Sequence, residues 1–191
     1  GYVRDPELVI DFYNERRKQL LDVEPNAGHT GLAELEKDFN VTVVTQNVDN
    51  LHERAGSTHV IHLHGELTKV CSSRDPYNPR YVRELKPEEY EVKMGDKAGD
   101  GSQLRPFIVW FGEAVPEIET AIGYVEKADI FVIIGTSMNV YPAAGLLNYV
   151  PRTAEVYLID PKPVDTHSMR QIHVIQKGAS EGVKELKTEI L

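Results

Sequence analysis

The stretch 129–134, Asp-Ile-Phe-Val-Ile-Ile, constrains the fold most. Past Asp129 it is apolar without a break. A strand with one wet face alternates polar and apolar residues. An unbroken β-branched and aromatic run predicts a strand covered on both faces, as in a parallel sheet. Gly135-Thr136-Ser137 follows at once, and all three residues favour a turn.

Other stretches repeat this design. Strands are expected at 41–45, 60–63, 107–111, 155–159 and 172–176. Asp5-Pro6-Glu7 starts a helix with a side-chain cap, a proline whose missing N–H costs nothing, and an acid near the positive helix end. Leu8, Val9 and Phe12 are expected to form its buried stripe. Pro25-Asn26 precedes a second helix, with Leu32, Leu35 and Phe39 on one face. A short helix at 51–55 ends on Gly56. The helix at 118–127 turns Ile118, Ala121, Ile122 and Val125 inward. Another runs from Ala143 to about Tyr149, and Ser180 is expected to cap the last. Strands alternating with helices argue for an α/β fold with right-handed crossovers.

Composition changes at 68–104, where charged residues, Pro and Gly dominate and periodicity is weak. That stretch reads as a small insertion module, and 1–67 with 105–191 as the main domain. Tyr77, Tyr81 and Tyr90 are expected to pack together, and 93–102 to be a flexible turn. The single cysteine excludes an internal disulfide and a thiolate cage for a metal. A net charge of −9 argues against nucleic-acid binding. No apolar run reaches the roughly 18 residues of a membrane span, and no signal peptide stands out. A cytoplasmic protein, monomeric by default, is the expectation.

The chemistry gathers in 45–67. Gln46, Asn47 and Asp49 occupy the loop after one strand, and His64-Gly65 ends another. Carboxyl ends of strands are where an open α/β sheet holds its ligand. An imidazole titrates near neutrality and can serve as a general base. A lone strand-end histidine is more often structural, and His62 points the same way two residues earlier. Gly135-Thr136-Ser137 offers close backbone approach and two hydroxyls, which alone is a weak signal. Asp160 ends the next strand, where an acid commonly binds a ribose diol. Tyr13 and Arg16 stand three apart, on one side of the first helix. By themselves they are a surface pair.

Together these segments resemble the sirtuins, NAD-dependent protein-lysine deacylases, over essentially the whole chain. Gln46-Asn47-Val48-Asp49 resembles their nicotinamide-ribose site, and His64-Gly65 their catalytic histidine. Gly135-Thr136-Ser137 with Val140 and Pro142 is similar to their cofactor loop. The resemblance implies a Rossmann-like doubly wound parallel sheet with NAD as cofactor. NAD would be held by Gln46, Asn47, Asp49, Gly135, Thr136, Ser137, Asp160, Pro161, Lys162 and Ala179. Asp160 departs from the family's usual Asn. The implied partner is an acylated lysine of a protein, sandwiched by Phe111-Gly112-Glu113 and the segment around Val140, with Val109 lining its tunnel. Tyr13-Asn14-Glu15-Arg16 resembles the Tyr-x-x-Arg of class III members, which prefer acidic acyl groups. A guanidinium forks onto a carboxylate, and a phenol adds one hydrogen bond. Implied products are free lysine, nicotinamide and O-acyl-ADP-ribose.

Two family features are missing. The zinc module's paired cysteines are reduced to Cys71, with Arg74 in its partner's place, so no structural zinc is expected. No Gly-Ala-Gly-Ile-Ser loop or Thr-Phe-Arg segment precedes the rest. The expectation is a truncated sequence or one limited to ordered residues. A complete protein of this sequence would be poorly stable and turn over little NAD. Two rival functions use the same residues. One is a protein ADP-ribosyltransferase, and the other a non-catalytic NAD or ADP-ribose binding module.

Overall fold

The computed structural model describes residues 2–110, 112–135, 143–164 and 170–191. Helix α1 (Pro6–Leu20) opens the chain, followed by α2 (Ala27–Glu34), β1 (Val43–Thr45), α3 (Leu51–Arg54) and β2 (Val60–His62). Next come β3 (Gly65–Ser72), β4 (Arg83–Glu84) and β5 (Leu104–Ile108). The chain closes with α4 (Ile118–Val125), β6 (Ile130–Ile134), α5 (Ala143–Leu146), β7 (Glu155–Ile159), β8 (His173–Ile175) and α6 (Ala179–Ile190). No helix among the described residues is long and apolar enough to cross a membrane. Two compact units result. One holds Gly1–Glu24, Thr45–Asn50 and His62–Pro116; the other holds Pro25–Val44, Leu51–Ile61 and Glu117–Leu191.

The second unit contains the parallel sheet, in the order β6-β7-β8. Ile130 to Ile134 pair in register with Glu155 to Ile159, and Tyr157 to Ile159 with His173 to Ile175. Burial on both faces falls chiefly to β7, where Val156, Leu158 and Ile159 are all but inaccessible. On β6 only Ile133 is fully buried, because β7 is its one partner among the described strands. Leu35, Tyr157, Ile159, Ile175, Val183 and Leu186 form the core, with Leu32 and Phe39 packed against it as expected. Helix α6 sits close to β7 because Gly182 has no side chain. A Cβ there would lie 2.2 Å from Ile159 Cγ2. Gly178, not Ser180, is the N-cap of α6. Asn26 and Asp5 cap α2 and α1 with their side chains, as their sequence signatures require.

In the first unit β3 pairs antiparallel with both β4 and β5. The insertion therefore does not stand apart at 68 and 104. Its strands begin before 68 and end after 104, and share one core with α1: Ile10, Val70, Leu85, Val92, Ala98 and Leu104. The buried stripe of α1 corrects the sequence expectation. It runs Ile10, Asn14, Arg17, Leu20, while Leu8 is 64% and Phe12 55% exposed. Two polar residues are buried because distant backbone needs them. Asn14 Nδ2 donates to Val92 O at 2.7 Å, and its Oδ1 accepts from Val92 N at 2.9 Å. Arg17 Nε donates to Leu67 O and Nη1 to Tyr90 O, both at 2.7 Å. Burial pulls the Arg17 guanidinium down to about 10.

Hydrogen bonds also tie the insertion together. Ser72 Oγ donates to Asp100 and bonds Ser102 Oγ at 2.9 Å. It accepts from the amides of Arg74 at 3.0 Å and Asp75 at 2.9 Å. The stretch 93–102 is closed by the pairing of Lys97 with Gln103 and by Leu104 N donating to Asp96 O. The tyrosines go to separate partners. Tyr77 meets Phe107 and Glu113, the Tyr81 ring lies beside Gly99, and the Tyr90 carbonyl serves Arg17. Cys71 is fully buried, its Sγ 3.7 Å from Pro106 O. Burial pushes its thiol up to about 11.

Asn14→Ala strands both polar groups of Val92 and is expected to cost about 2–4 kcal/mol, read by urea unfolding. Hydrogen bonds from Ser102 and Ser72 hold the Asp100 carboxyl at about 2, below its ordinary 3.8. Its contribution is then complete above its unfolded value and lost as pH falls toward 2. Asp100→Asn should flatten the acid limb of a pH–stability curve in that window.

Candidate active site

The loop after β1 is pinned at three points within its unit. Thr45 Oγ1 accepts from Asn47 N at 3.0 Å. Val48 O accepts from Leu67 N at 2.7 Å. Asn47 O lies 3.0 Å from Nδ1 of His62, a buried ring whose Nε2 is 3.8 Å from Glu66. His62 is thus committed to holding the loop. With the backbone fixed, Gln46 Nε2 and Asn50 Oδ1 are buried without hydrogen-bond partners. One is a donor and the other an acceptor. Buried polar atoms without partners are costly in a folded chain, so both are open to a polar partner. Asn50 escaped the sequence reading, although it stands in the same loop as the three residues singled out.

His64 lies in the turn between β2 and β3. Leu63 N donates to Thr45 O at 2.9 Å, which places this strand end beside the loop. Unlike His62, the His64 ring makes no hydrogen bond among the described residues. Its carbonyl accepts from Val109 N at 2.9 Å, so the expected catalytic and tunnel residues are backbone neighbours. Gly65 makes this possible. Its φ is +93°, and a Cβ there would lie 2.1 Å from Phe107 O. Only glycine lets β3 turn away from His64 that close to β5.

On α1, Phe12 brings Tyr13 and Arg16 together. The Phe12 and Tyr13 rings meet edge to face, with centroids 5.1 Å apart. The Arg16 guanidinium lies 5.9 Å from the Phe12 centroid. No carboxylate pairs with Arg16 among the described residues.

Past β5, Gly112 takes a φ of +89° and Glu113 folds back onto its own chain. The Glu113 carboxylate bonds Arg105, the Trp110 amide and the Tyr77 hydroxyl. Burial would push this carboxyl up, but those bonds prevail and hold it below the usual range. Burial, then Glu113, pushes Tyr77 up to about 12. Arg105 and Trp110 were not foreseen as site residues. The only signal was Arg105-Pro106 leading into an apolar strand.

In the second unit the expected cofactor residues share one edge of the sheet. Gly135 follows β6 with φ +63° and donates to Ile159 O at 3.1 Å. Asp160 follows β7, and its Oδ1 accepts from Lys162 N at 2.8 Å, closing a turn through Pro161. Ala179 opens α6 after β8 and packs where α2 comes near, at Gly28. Thr136, Ser137, Val140, Pro142 and Phe111 lie outside the described residues.

Polar groups at the carboxyl edge of a parallel sheet define an α/β ligand-binding protein of Rossmann-like class. The family comes from comparison with known proteins. A profile described as the Sir2 family matches residues 2–142. An NAD-dependent protein deacylase of Bacteroides thetaiotaomicron is 84% identical over 187 residues, spanning 98% of this chain and 80% of that protein. One from Helicobacter pylori is 47% identical over 191 residues, spanning 100% of this chain and 81% of its own length. A crystal structure of a Sir2 homologue–NAD complex superposes with a TM-score of 0.82 at 34% identity, covering 100% of this chain and 75% of that one. This chain belongs to the Sir2 family.

Gly65→Ala combines backbone strain with overpacking against β5. It is expected to cost about 3 kcal/mol, seen as a lowered thermal midpoint.

Proposed function

We propose that this Sir2-family enzyme, an NAD-dependent protein deacylase, removes succinyl and malonyl groups from protein lysines, with deacetylation alongside. The observation that carries the acyl preference is the Tyr13–Phe12–Arg16 group. It presents an uncommitted guanidinium beside a phenol on an apolar ring. A guanidinium takes a carboxylate by two parallel hydrogen bonds, which a neutral acetyl cannot reciprocate.

The residues present fit NAD. Gln46 Nε2 and Asn50 Oδ1 are a buried donor and acceptor without partners, as a carboxamide or ribose hydroxyls would require. Asn47 and Asp49 complete that loop. In the other unit Gly135, Asp160, Pro161, Lys162 and Ala179 would hold the adenosine end, together with Thr136 and Ser137. When bound, NAD supplies the ribose that accepts the acyl group, giving nicotinamide and O-acyl-ADP-ribose. His64 is the general base, its ring free to take a hydroxyl proton while His62 is held by Asn47. The substrate peptide would lie along Val109, Phe111, Gly112 and Glu113, with Val140 on its other side, and would bind chiefly by backbone pairing. Bulk zinc-type stiffening is replaced, in this reading, by the Ser72–Asp100–Ser102 bonds.

Matched succinyl-lysine and acetyl-lysine peptides incubated with NAD and followed by mass spectrometry test this. Faster succinyl loss with O-succinyl-ADP-ribose is expected. Arg16→Met should lower succinyl turnover roughly 10- to 100-fold and spare acetyl turnover, as loss of a charged hydrogen-bonded pair does. Acetyl loss alone in the unaltered protein would remove the acyl preference. His64→Tyr should abolish turnover, and labelled protein in place of released acyl group would favour ADP-ribosyl transfer.

A further inference from the structure

Beside β5 lies a clasp that acyl transfer itself does not use. Arg105 Nη1 donates to Glu113 Oε2 at 3.2 Å, and Nη2 to Oε1 at 3.1 Å. Nη2 also donates to Ile108 O at 2.9 Å. The same carboxylate accepts from Trp110 N at 2.7 Å and from the Tyr77 hydroxyl at 2.8 Å. Glu113 N returns a bond to Trp110 O at 2.9 Å. The guanidinium lies 3.8 Å from the Trp110 ring centroid, and the Tyr2 ring packs on the indole at 4.9 Å. All these groups belong to one compact unit.

Four donors bond the Glu113 carboxylate, three at Oε1 and one at Oε2, so its side chain has little capacity left for a substrate. Arg105 is 4% exposed, and a buried ion pair adds little net stability over an apolar pair of similar shape. What the clasp does provide is geometry. It fixes Trp110 and Glu113 around Gly112, directly after the Val109 that bonds His64.

We propose that Arg105 and Glu113 are positioning residues for the acylated peptide, holding the main chain at Val109, Trp110 and Gly112 ready to pair with an extended substrate backbone. This rests on the deacylase reading. Ordering a loop at the moment of binding weakens affinity, and a loop ordered beforehand avoids that loss. The clasp therefore acts on affinity for residues flanking the acyl-lysine, and hardly on the chemical step.

The test compares an acyl-lysine peptide with a blocked single acyl-lysine that has no neighbours. The variants are Glu113→Ala, Glu113→Gln and the pair Arg105→Leu with Glu113→Leu, which leaves no buried charge unpaired. KM for the peptide should rise about tenfold, with kcat and the KM of the single acyl-lysine changing far less. Glu113→Gln keeps an acceptor and should recover part of the loss. Equal losses on both substrates, or a fall in kcat at unchanged KM, would overturn the proposal. Trp110 is the sole tryptophan, so its fluorescence reports peptide binding directly. If the unaltered protein turns over no acyl peptide, the deacylase reading fails separately. Peptide titration of Trp110 emission then decides the clasp: weaker binding by the paired variant supports it, and equal binding overturns it.

Discussion

The first unit depends on one buried cation without a counter-ion. Among the described residues no acid pairs with Arg17, so main-chain carbonyls take the place of water around its charge. Leu67 and Tyr90 supply them, and Asn14 accepts a third bond at 2.9 Å. Those carbonyls belong to segments 50 and 73 residues away in sequence. Its bonds therefore bring β3 and the 90–92 segment onto α1, although Nη2 stays buried without a partner. Desolvation is expensive enough that the arrangement is close to all-or-none. Once it forms, Ile10 enters the core with Val70 and Leu104.

The same helix then serves two purposes with two faces. Ile10, Asn14, Arg17 and Leu20 face inward and hold the unit. Phe12, Tyr13 and Arg16 face outward and remain available to a ligand. Two arginines one residue apart thus have opposite fates. Arg17 is committed to backbone, while Arg16 has only an aromatic ring beneath it. The histidines divide likewise: His62 holds a loop carbonyl, and His64 keeps its ring uncommitted. For the arginines the helical period sets which neighbour turns inward; the histidines are separated because β2 ends at His62 and His64 lies in the turn before β3.

Local signals in the sequence were read well because their causes are local. Asp5 and Asn26 cap helices through bonds to amides three residues on, and Gly56 occupies positive φ after its short helix. The parallel pairing of β6 with β7 followed from apolar runs alternating with helices. The stripe on α1 was misread because hydrophobicity was taken as the only reason for burial. Leu8 and Phe12 are apolar yet exposed, and Arg17 is buried for its donors. The insertion's boundaries at 68 and 104 followed composition, whereas its strands follow hydrogen bonding and overrun both limits.

By itself the sequence determined which residues could do chemistry: the polar loop, the histidine before a glycine, the glycine turn after β6, and the aromatic–arginine spacing on α1. Those are properties of residue type and short-range period. Only the tertiary structure decided which of them are left unsatisfied. Gln46 and Asn50 are orphaned, His64 and Arg16 are uncommitted, and Glu113 is filled by Arg105, Trp110 and Tyr77. Such commitments depend on partners far along the chain, and a buried polar group's role is fixed by whether those partners reach it.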